Sequence, residues 1–207
     1  MKTIYTIGYS SYKVEDFVNV LKKYHITSLI DVRSYPNSKF FEDYNQGNIK
    51  KFLKSNGIIY RSYSSHFGAR QEDKKYHKNG YMDFSAYVKS ESFKEGMRKV
   101  EVGIDLNYVF VLMCAEKDPS FCHRSIMVAR EFHKNGYEVK NISSNGSYKT
   151  QEQIAQSLVQ HYFPNRNQTS FLSNSLTYDE MVEKAYQLRN SEIGYRLDVD
   201  IVDRISV

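Results

Sequence analysis

The two cysteines of this 207-residue chain fall within nine positions, in the stretch VFVLMCAEKDPSFCHRS from residue 109 to residue 125. Cys114 ends an apolar run that is typical of a strand. Cys122 is followed by His123 and Arg124, at the point where a helix is predicted to begin. A helix N-terminus stabilises a thiolate, and a neighbouring Arg or protonated His adds to this effect. The stretch therefore indicates a thiol site, with Cys114 as the candidate nucleophile and Cys122 as a second or resolving thiol.

Two other interpretations of this stretch stay open. Free cysteine is a common core residue, so both thiols could be buried without a function. Alternatively, Cys114, Cys122 and His123 could bind a metal ion. They supply at most three ligands at a spacing that matches no standard zinc motif, and a fourth would come from a distant residue such as His66 or His77. We therefore expect neither a metal nor another cofactor, and metal binding is the third alternative.

A second set of candidate residues follows the first two predicted strands. The strand TIYTI leads into Gly8, Tyr9 and Ser10, and the strand ITSLIDV leads into Asp31 and Arg33. In parallel α/β sheets, ligands bind outside the carboxyl ends of the strands. Asp31 could orient a histidine or take a proton, and Arg33 could hold an anion through its guanidinium group. Equally, the two residues could form a partly buried ion pair without a catalytic role.

The elements that would position these residues alternate between strand and helix. Predicted strands are TIYTI, ITSLIDV, GIIYRSY, LNYVFVLMC and GYEVKNI, and predicted helices span about 13–24, 48–56, 83–100 with a break near Ser90, and 122–134. Strand-helix-strand units imply parallel pairing with right-handed crossovers. We predict a three-layer α/β/α fold with a mostly parallel sheet of roughly five strands over residues 1–150.

The last part of the chain is predicted to be a helical extension, residues 151–207, that packs on this core. Its helices are Gln151–Tyr162 and Tyr178–Asn190, and a polar connector, PNRNQTSFLSNS, separates them. We see no apolar stretch near the roughly 20 residues of a membrane span and no signal peptide, so a cytoplasmic protein without membrane contact is expected.

Basic residues are concentrated in one segment of the chain. The net charge is +5, and Lys50 to Tyr81 holds eight Lys or Arg against two acidic residues. Within it, residues 64–82 are polar, basic and aromatic, which predicts a long loop. Aromatic and basic side chains together could line a nucleotide or nucleic-acid channel. The same loop could equally be solvated, with its aromatic rings packed on the sheet.

Several motifs resemble those of the bacterial family known as domain of unknown function 488. They are TIGYSS at 6–11, LIDVRSYPNSKFF at 29–41, GIIYRSY at 57–63, MCAEKDPSFCHRSIMVAREF at 113–132, and NSEIGYR near the C-terminus. One departure is HFGAR at 66–70, where the family more often has Leu-Gly-Gly. The resemblance implies no settled activity, but it implies which positions to suspect, and these are Asp31, Arg33, Cys114, Glu116, Cys122, His123 and Arg124.

A more distant similarity is to rhodanese-like domains, in which Cys114 would take the nucleophile's place. We therefore predict a cytoplasmic enzyme that acts through a cysteine thiolate on an anionic small molecule or nucleotide, by thiol-based transfer or hydrolysis. Gly8, Tyr9, Ser10, Arg33 and Glu116 are predicted to bind the substrate. The alternative is a nucleic-acid or nucleotide-binding module, with structural cysteines, that binds through the segment from Lys50 to Tyr81.

Overall fold

A computed structural model of the protein describes residues 2–164 and 176–197. Its strands are β1 (Thr3–Gly8), β2 (Ser28–Asp31), β3 (Ile59–Ser62), β4 (His77–Lys78), β5 (Tyr81–Met82), β6 (Phe110–Cys114), β7 (Glu138–Ile142) and β8 (Tyr148–Thr150). Its helices are α1 (Val14–Lys23), α2 (Gln46–Ser55), α3 (Ser64–Phe67), α4 (Phe84–Tyr87), α5 (Glu91–Asp105), α6 (Arg130–Lys134), α7 (Gln151–Tyr162) and α8 (Tyr178–Ile193). A π-helical segment, Arg124–Ala129, runs directly into α6.

The central sheet has the strand order β3-β2-β6-β1-β7-β8. Every neighbouring pair is parallel except β7 and β8, which are antiparallel. All five residues of β6 are buried, as expected for an apolar strand covered on both faces. The predicted three-layer α/β/α fold is thus confirmed. The short strand β8 adds a sixth strand to the five predicted, and its sequence YKT has too little apolar character to be recognised as a strand.

Side chains alternate between the two faces of the sheet and build a separate core on each side. On one face, α1 buries residues at helical spacing, such as Phe17 and Leu21, against Leu29 and Val111. On the other face, Leu112 belongs to the core formed with α5, α6, α7 and the π-helical segment. Because both faces are covered, ligands can approach the sheet only from its edges.

The basic segment after β3 is more ordered than the predicted loop. It contains α3 and the β4–β5 hairpin, whose two-residue turn, Asn79-Gly80, has positive φ at both positions (52° and 78°). Asn-Gly is favoured in such turns because it tolerates this conformation. After the hairpin, the predicted helix break near Ser90 is confirmed, since Ser90 accepts a hydrogen bond from the backbone N–H of Phe93 and caps α5.

Helix α8 packs against both α7 and the hairpin. Asn190 accepts a hydrogen bond from the backbone N–H of Phe84 (2.9 Å) and donates one to the carbonyl of Met82 (2.9 Å). Gln151 of α7 donates to the hydroxyl of Tyr186 (2.9 Å). The domain boundary at residue 150 stays a prediction. Apart from Pro164, the predicted polar connector lies outside the described residues, as do residues 198–207. None of the helices described has the length and apolar character needed to cross a membrane.

Candidate functional site

The carboxyl ends of three adjacent strands bring the predicted site residues to one edge of the sheet. Gly8 at the end of β1 pairs with Cys114 at the end of β6, and Asp31 at the end of β2 pairs with Met113. The chain then makes a short loop after Cys114 and returns through the π-helical segment. π-Helical turns are rare and occur often at functional sites.

A single imidazole lies between the two thiols. Nδ1 of His123 is 3.9 Å from Sγ of Cys114 and 4.0 Å from Sγ of Cys122. The other ring nitrogen, Nε2, is 2.9 Å from the carbonyl oxygen of Val32, which can only accept a hydrogen bond. Nε2 therefore carries a proton, and Nδ1 faces the sulfurs as the exchangeable position. All three side chains are buried, and both cysteines are free thiols.

The two thiols differ in acidity because each affects the ionisation of the other. The hydrogen bond to Cys122 raises the pKa of Cys114, and burial raises it further. Burial also acts against ionisation of Cys122, but the hydrogen bond from Cys114 and the charges of Arg124 and His123 lower its pKa below the usual thiol value. The pair therefore holds one thiolate more readily than two, and its titration belongs to the pair as a whole.

Glu116 brings a carboxylate to the same cluster. When Cys122 carries a proton, its Sγ donates to Oε2 of Glu116 over 2.9 Å. Although the residue as a whole is exposed, desolvation of its carboxylate against the buried sulfur raises the pKa of Glu116. The pKa of His123 is also raised, because the thiolate of Cys122 and the carboxylate of Glu116 outweigh the opposing effect of burial. The ionisation of each of these groups therefore depends on that of the others.

Gly8 and Arg124 shape the loop that carries Glu116. Arg124 is fully buried, and its Nη1 donates to the backbone carbonyl of Glu116 over 2.6 Å. A Cβ atom at Gly8 would lie 1.9 Å from that same carbonyl oxygen, so only glycine permits the approach. The backbone N–H of Ser10 donates to the carbonyl of Ala115 over 3.1 Å. Three predicted site residues, Gly8, Ser10 and Arg124, therefore contact this loop directly.

Asp31 and Arg33 form a buried ion pair beside the cluster. Nη2 of Arg33 lies 2.5 Å from Oδ2 of Asp31, and Nε donates to both carboxylate oxygens. Tyr60 donates to Oδ2 of Asp31 over 2.7 Å. The remaining guanidinium contacts are to the hydroxyl of Tyr9 (3.2 Å) and the carbonyl of Tyr44 (2.9 Å). Both charges are consequently compensated within the protein.

A pocket of about 350 Å³ opens beside the cluster. Of the predicted site residues, Tyr9, Arg33, Cys114, Glu116 and His123 line it, whereas Gly8, Ser10, Asp31, Cys122 and Arg124 do not. Cys114 is therefore the thiol on the pocket side. A larger cavity, about 580 Å³, is lined by α5, α6 and α8 and contains none of the predicted site residues.

The mouth of the pocket contains residues that sequence reasoning missed. The guanidinium of Arg70 lies 5.2 Å from the ring centre of Tyr35 and 5.6 Å from that of Tyr195. Arg70 belongs to HFGAR, the stretch that departs from the family pattern. That departure was the one feature of the sequence that could have drawn attention to Arg70. Gly68 allows the loop to approach Ser34, since a Cβ atom there would lie 2.9 Å from the Ser34 hydroxyl.

The C-terminal segment reaches the same mouth. Ile193 and Tyr195 line the pocket. The guanidinium of Arg189, buried on α8, lies 3.7 Å from the ring centre of Phe121, which belongs to the loop between the two cysteines. The predicted extension thus contacts the loop that joins the two thiols.

Comparison with known families matches most of the chain that carries these residues to one family. Residues 13–130 match the family model described as Domain of unknown function DUF488, and this span includes the Asp31–Arg33 pair and both cysteines. No curated protein matches the chain. The match does not bear on the rhodanese-like topology, which stays a prediction. Because the matched span covers more than half of the 207 residues, the chain belongs to the DUF488 family.

Proposed function

We propose that the protein is a cysteine-dependent enzyme that carries out transfer or hydrolysis on an anionic substrate. One observation carries the proposal. A buried imidazole nitrogen lies about equally far from two thiols, at 3.9 and 4.0 Å, and one of these thiols lines an open pocket. A thiol within reach of an oriented base is the arrangement that nucleophilic catalysis needs.

In the proposed mechanism, Cys114 attacks and Cys122 assists. Transfer of the Cys114 proton to the Cys122 sulfur leaves a thiolate on the pocket side. The Cys114 sulfur then forms a bond to an electrophilic atom of the substrate, and the bond to the leaving group breaks. The leaving group takes a proton from His123, whose Nδ1 faces the sulfurs because Nε2 is held by Val32. Water or a second acceptor then releases the bound group, with His123 as the base.

The charge of Arg70 at the pocket mouth favours an anionic substrate. Its side chain is exposed at the mouth of the pocket and, over residues 2–164 and 176–197, no carboxylate forms a salt bridge with it. Arg33, in contrast, is compensated by Asp31. The rings of Tyr35 and Tyr195 beside Arg70 favour a substrate that also offers a flat or apolar group.

Alkylation of the reduced, metal-free protein tests the nucleophile role. Because the chain has two cysteines, mass spectrometry can follow each thiol separately during reaction with iodoacetamide. Because the pair holds one thiolate at pH 7, we expect one of the two cysteines to react faster there than free cysteine, whose pKa is about 8.5. The Cys114→Ser and Cys122→Ser variants assign the reactive sulfur. If both thiols react no faster than free cysteine, the proposed nucleophile role is wrong.

A second candidate function is nucleic-acid binding, favoured by a separate surface. Arg61, Arg98 and Lys99 line a cavity of about 410 Å³ together with Tyr63 and Tyr108, beside the edge strand β3. The Arg61 guanidinium lies 5.5 Å from the Tyr108 ring centre. Salt-dependent binding to a single-stranded oligonucleotide that persists after Cys114→Ala and Cys122→Ala would favour this function.

A further inference from the structure

The atoms around His123 are also arranged as metal ligands. Sγ of Cys114, Sγ of Cys122 and Nδ1 of His123 all lie within 4.8 Å of one another. A tetrahedral zinc ion, with Zn–S near 2.3 Å and Zn–N near 2.0 Å, places its sulfur and nitrogen ligands about 3.6 Å apart. The two sulfur-to-nitrogen distances, 3.9 and 4.0 Å, need only a small contraction to match. Two thiolates and an imidazole are ligands that zinc prefers.

The surroundings of the histidine fit the same role. Metal-bound histidines usually donate their second ring N–H to a carbonyl or carboxylate, which fixes the ring and directs the other nitrogen at the metal. His123 donates from Nε2 to the carbonyl of Val32 over 2.9 Å, so Nδ1 is already oriented towards both sulfurs. Zinc would therefore bind without reorientation of the ring.

The position of the pocket determines the kind of site. Cys114 and His123 line the pocket, whereas Cys122 does not. A metal ion held by these three residues would keep its fourth position towards the pocket, where water or a substrate anion can bind. Three protein ligands with one open position are typical of catalytic rather than structural zinc sites.

We propose that a zinc ion binds Cys114, Cys122 and His123, with its open coordination position facing the pocket. Both sulfurs bind as thiolates and Nδ1 binds without a proton, so the protons that these three atoms carry pass to solvent as Zn²⁺ binds. The site does not depend on the proposed function, but it has a consequence for that function. Zinc would engage both sulfurs, and Cys114 could act as a free nucleophile only after the metal leaves.

Spectroscopy with Co²⁺, which replaces zinc in such sites, tests the proposal on the full chain. One equivalent of Co²⁺ added to the reduced, metal-free protein should produce thiolate-to-metal charge-transfer absorption and the strong visible bands of tetrahedral Co²⁺. Zinc should displace the cobalt and remove both signals. Absence of these bands in the wild-type protein would overturn the proposal.

Matched variants assign the ligands. Cys114→Ser, Cys122→Ser and His123→Gln should each weaken zinc binding by more than the roughly 10- to 100-fold typical of changes behind the ligands. His161→Gln, on the exposed part of α7, is the control and should bind like the wild type. Circular dichroism establishes that each variant is folded. If the three ligand variants bind cobalt and zinc as the wild type does, the assignment is wrong.

Alkylation separates this proposal from the proposed function. Zinc should protect both cysteines of the wild-type protein from iodoacetamide, and a chelator should restore their reaction. Fast alkylation of Cys114 that zinc does not slow would overturn the metal site and leave the nucleophile in place. Slow alkylation of the metal-free protein combined with tight zinc binding would overturn the nucleophile and support the metal site.

Discussion

Two buried polar groups lie at the same edge of the sheet, and they differ in how completely they are compensated. Arg33 and Asp31 satisfy each other's charge, and Tyr60 completes the carboxylate's contacts. Around His123, by contrast, two sulfurs compete for one imidazole nitrogen. Both groups are buried, so burial alone does not distinguish a reactive site from a structural one.

The difference lies in the alternatives open to each proton. In the ion pair, every proton has one clearly favoured position, because moving it would leave an uncompensated charge in the interior. In the cysteine cluster, a proton on Cys114 can move to Cys122 without changing the total charge. Such alternative positions let a site exchange a proton, or take up a metal ion in its place, without leaving an uncompensated charge.

The largest expected effect is on stability and comes from breaking the buried ion pair of Asp31 and Arg33. Asp31→Asn leaves the buried Arg33 without a counter-charge, and we expect the free energy of unfolding to fall by about 3–5 kcal/mol. Urea denaturation followed by circular dichroism measures it. Glu91→Gln, which breaks the exposed pair with Lys94, is the control and should cost about 0–1 kcal/mol. A loss at Asp31 no larger than the control would show that the pair is not structural.

The next largest effect is on the reactivity of Cys114 and comes from changing the second cysteine of the cluster around His123. Cys122→Ser replaces the proton acceptor of Cys114 by a hydroxyl that holds a negative charge far less readily. Because the hydrogen bond and the charge of Cys122 raise the pKa of Cys114, we expect alkylation of Cys114 at pH 7 to become faster, by about tenfold for each unit by which its pKa falls. The measurement uses reduced, metal-free protein. An unchanged rate would mean that Cys114 ionises independently of Cys122.

A smaller effect is expected from an exposed ion pair that joins α8 to α6. Glu183 pairs with Arg130 (2.6 Å) and Lys134 (3.2 Å). Although partial burial opposes ionisation, these cations lower the pKa of Glu183, so the folded state binds its proton less readily than the unfolded state. Its contribution is therefore present above the unfolded pKa of about 4.3 and is lost as the pH falls through the lowered folded value.

Glu183→Gln should accordingly cost about 1 kcal/mol at pH 7, since Glu183 and Lys134 are exposed to solvent and only Arg130 is partly buried. The difference from the wild type should shrink as the pH falls below about 4.3. Chemical denaturation at a series of pH values follows this change. A cost comparable to that of Asp31→Asn would break the distinction between buried and exposed pairs.

The smallest effect on stability is expected at the pocket mouth. Arg70→Gln removes an exposed cation and should change the free energy of unfolding by less than about 0.5 kcal/mol. Inorganic phosphate serves as a simple anionic probe that should protect Cys114 from iodoacetamide in the wild type. The Arg70→Gln variant should show weaker protection by phosphate. Protection equal to that of the wild type would show that Arg70 does not attract anions to the pocket.

The sequence allowed much of the fold to be predicted, because repeated spacing reports local structure. The apolar run ending at Cys114 has the length and composition of a buried strand, and Phe17 and Leu21 repeat at helical spacing. Strand β8 escaped detection because three residues, two exposed and one half-buried, carry no such period. The secondary structure within residues 64–82 was not predicted, because α3 and the hairpin are each too short to show a hydrophobic period.

The candidate site was partly predictable for a related reason. Parallel strands place their carboxyl ends at one edge, so the sequence is sufficient to group Asp31, Arg33 and the first cysteine. Arg70 and Tyr195 could not be placed with them. The two residues are 125 positions apart, and their meeting at the pocket mouth depends on the course of the loop and on the packing of α8.

The sequence by itself therefore determined the alternation of elements, the edge at which chemistry can occur, and the residue types available there. Tertiary structure decided which partner each residue received. It paired Arg33 with Asp31. It also placed Nδ1 of His123 near two sulfurs, while Nε2 of the same ring donates a hydrogen bond to the carbonyl of Val32. Local periodicity follows from backbone geometry over a few residues, whereas a hydrogen bond between Val32 and His123 spans 91 positions and forms only when the whole sheet is assembled.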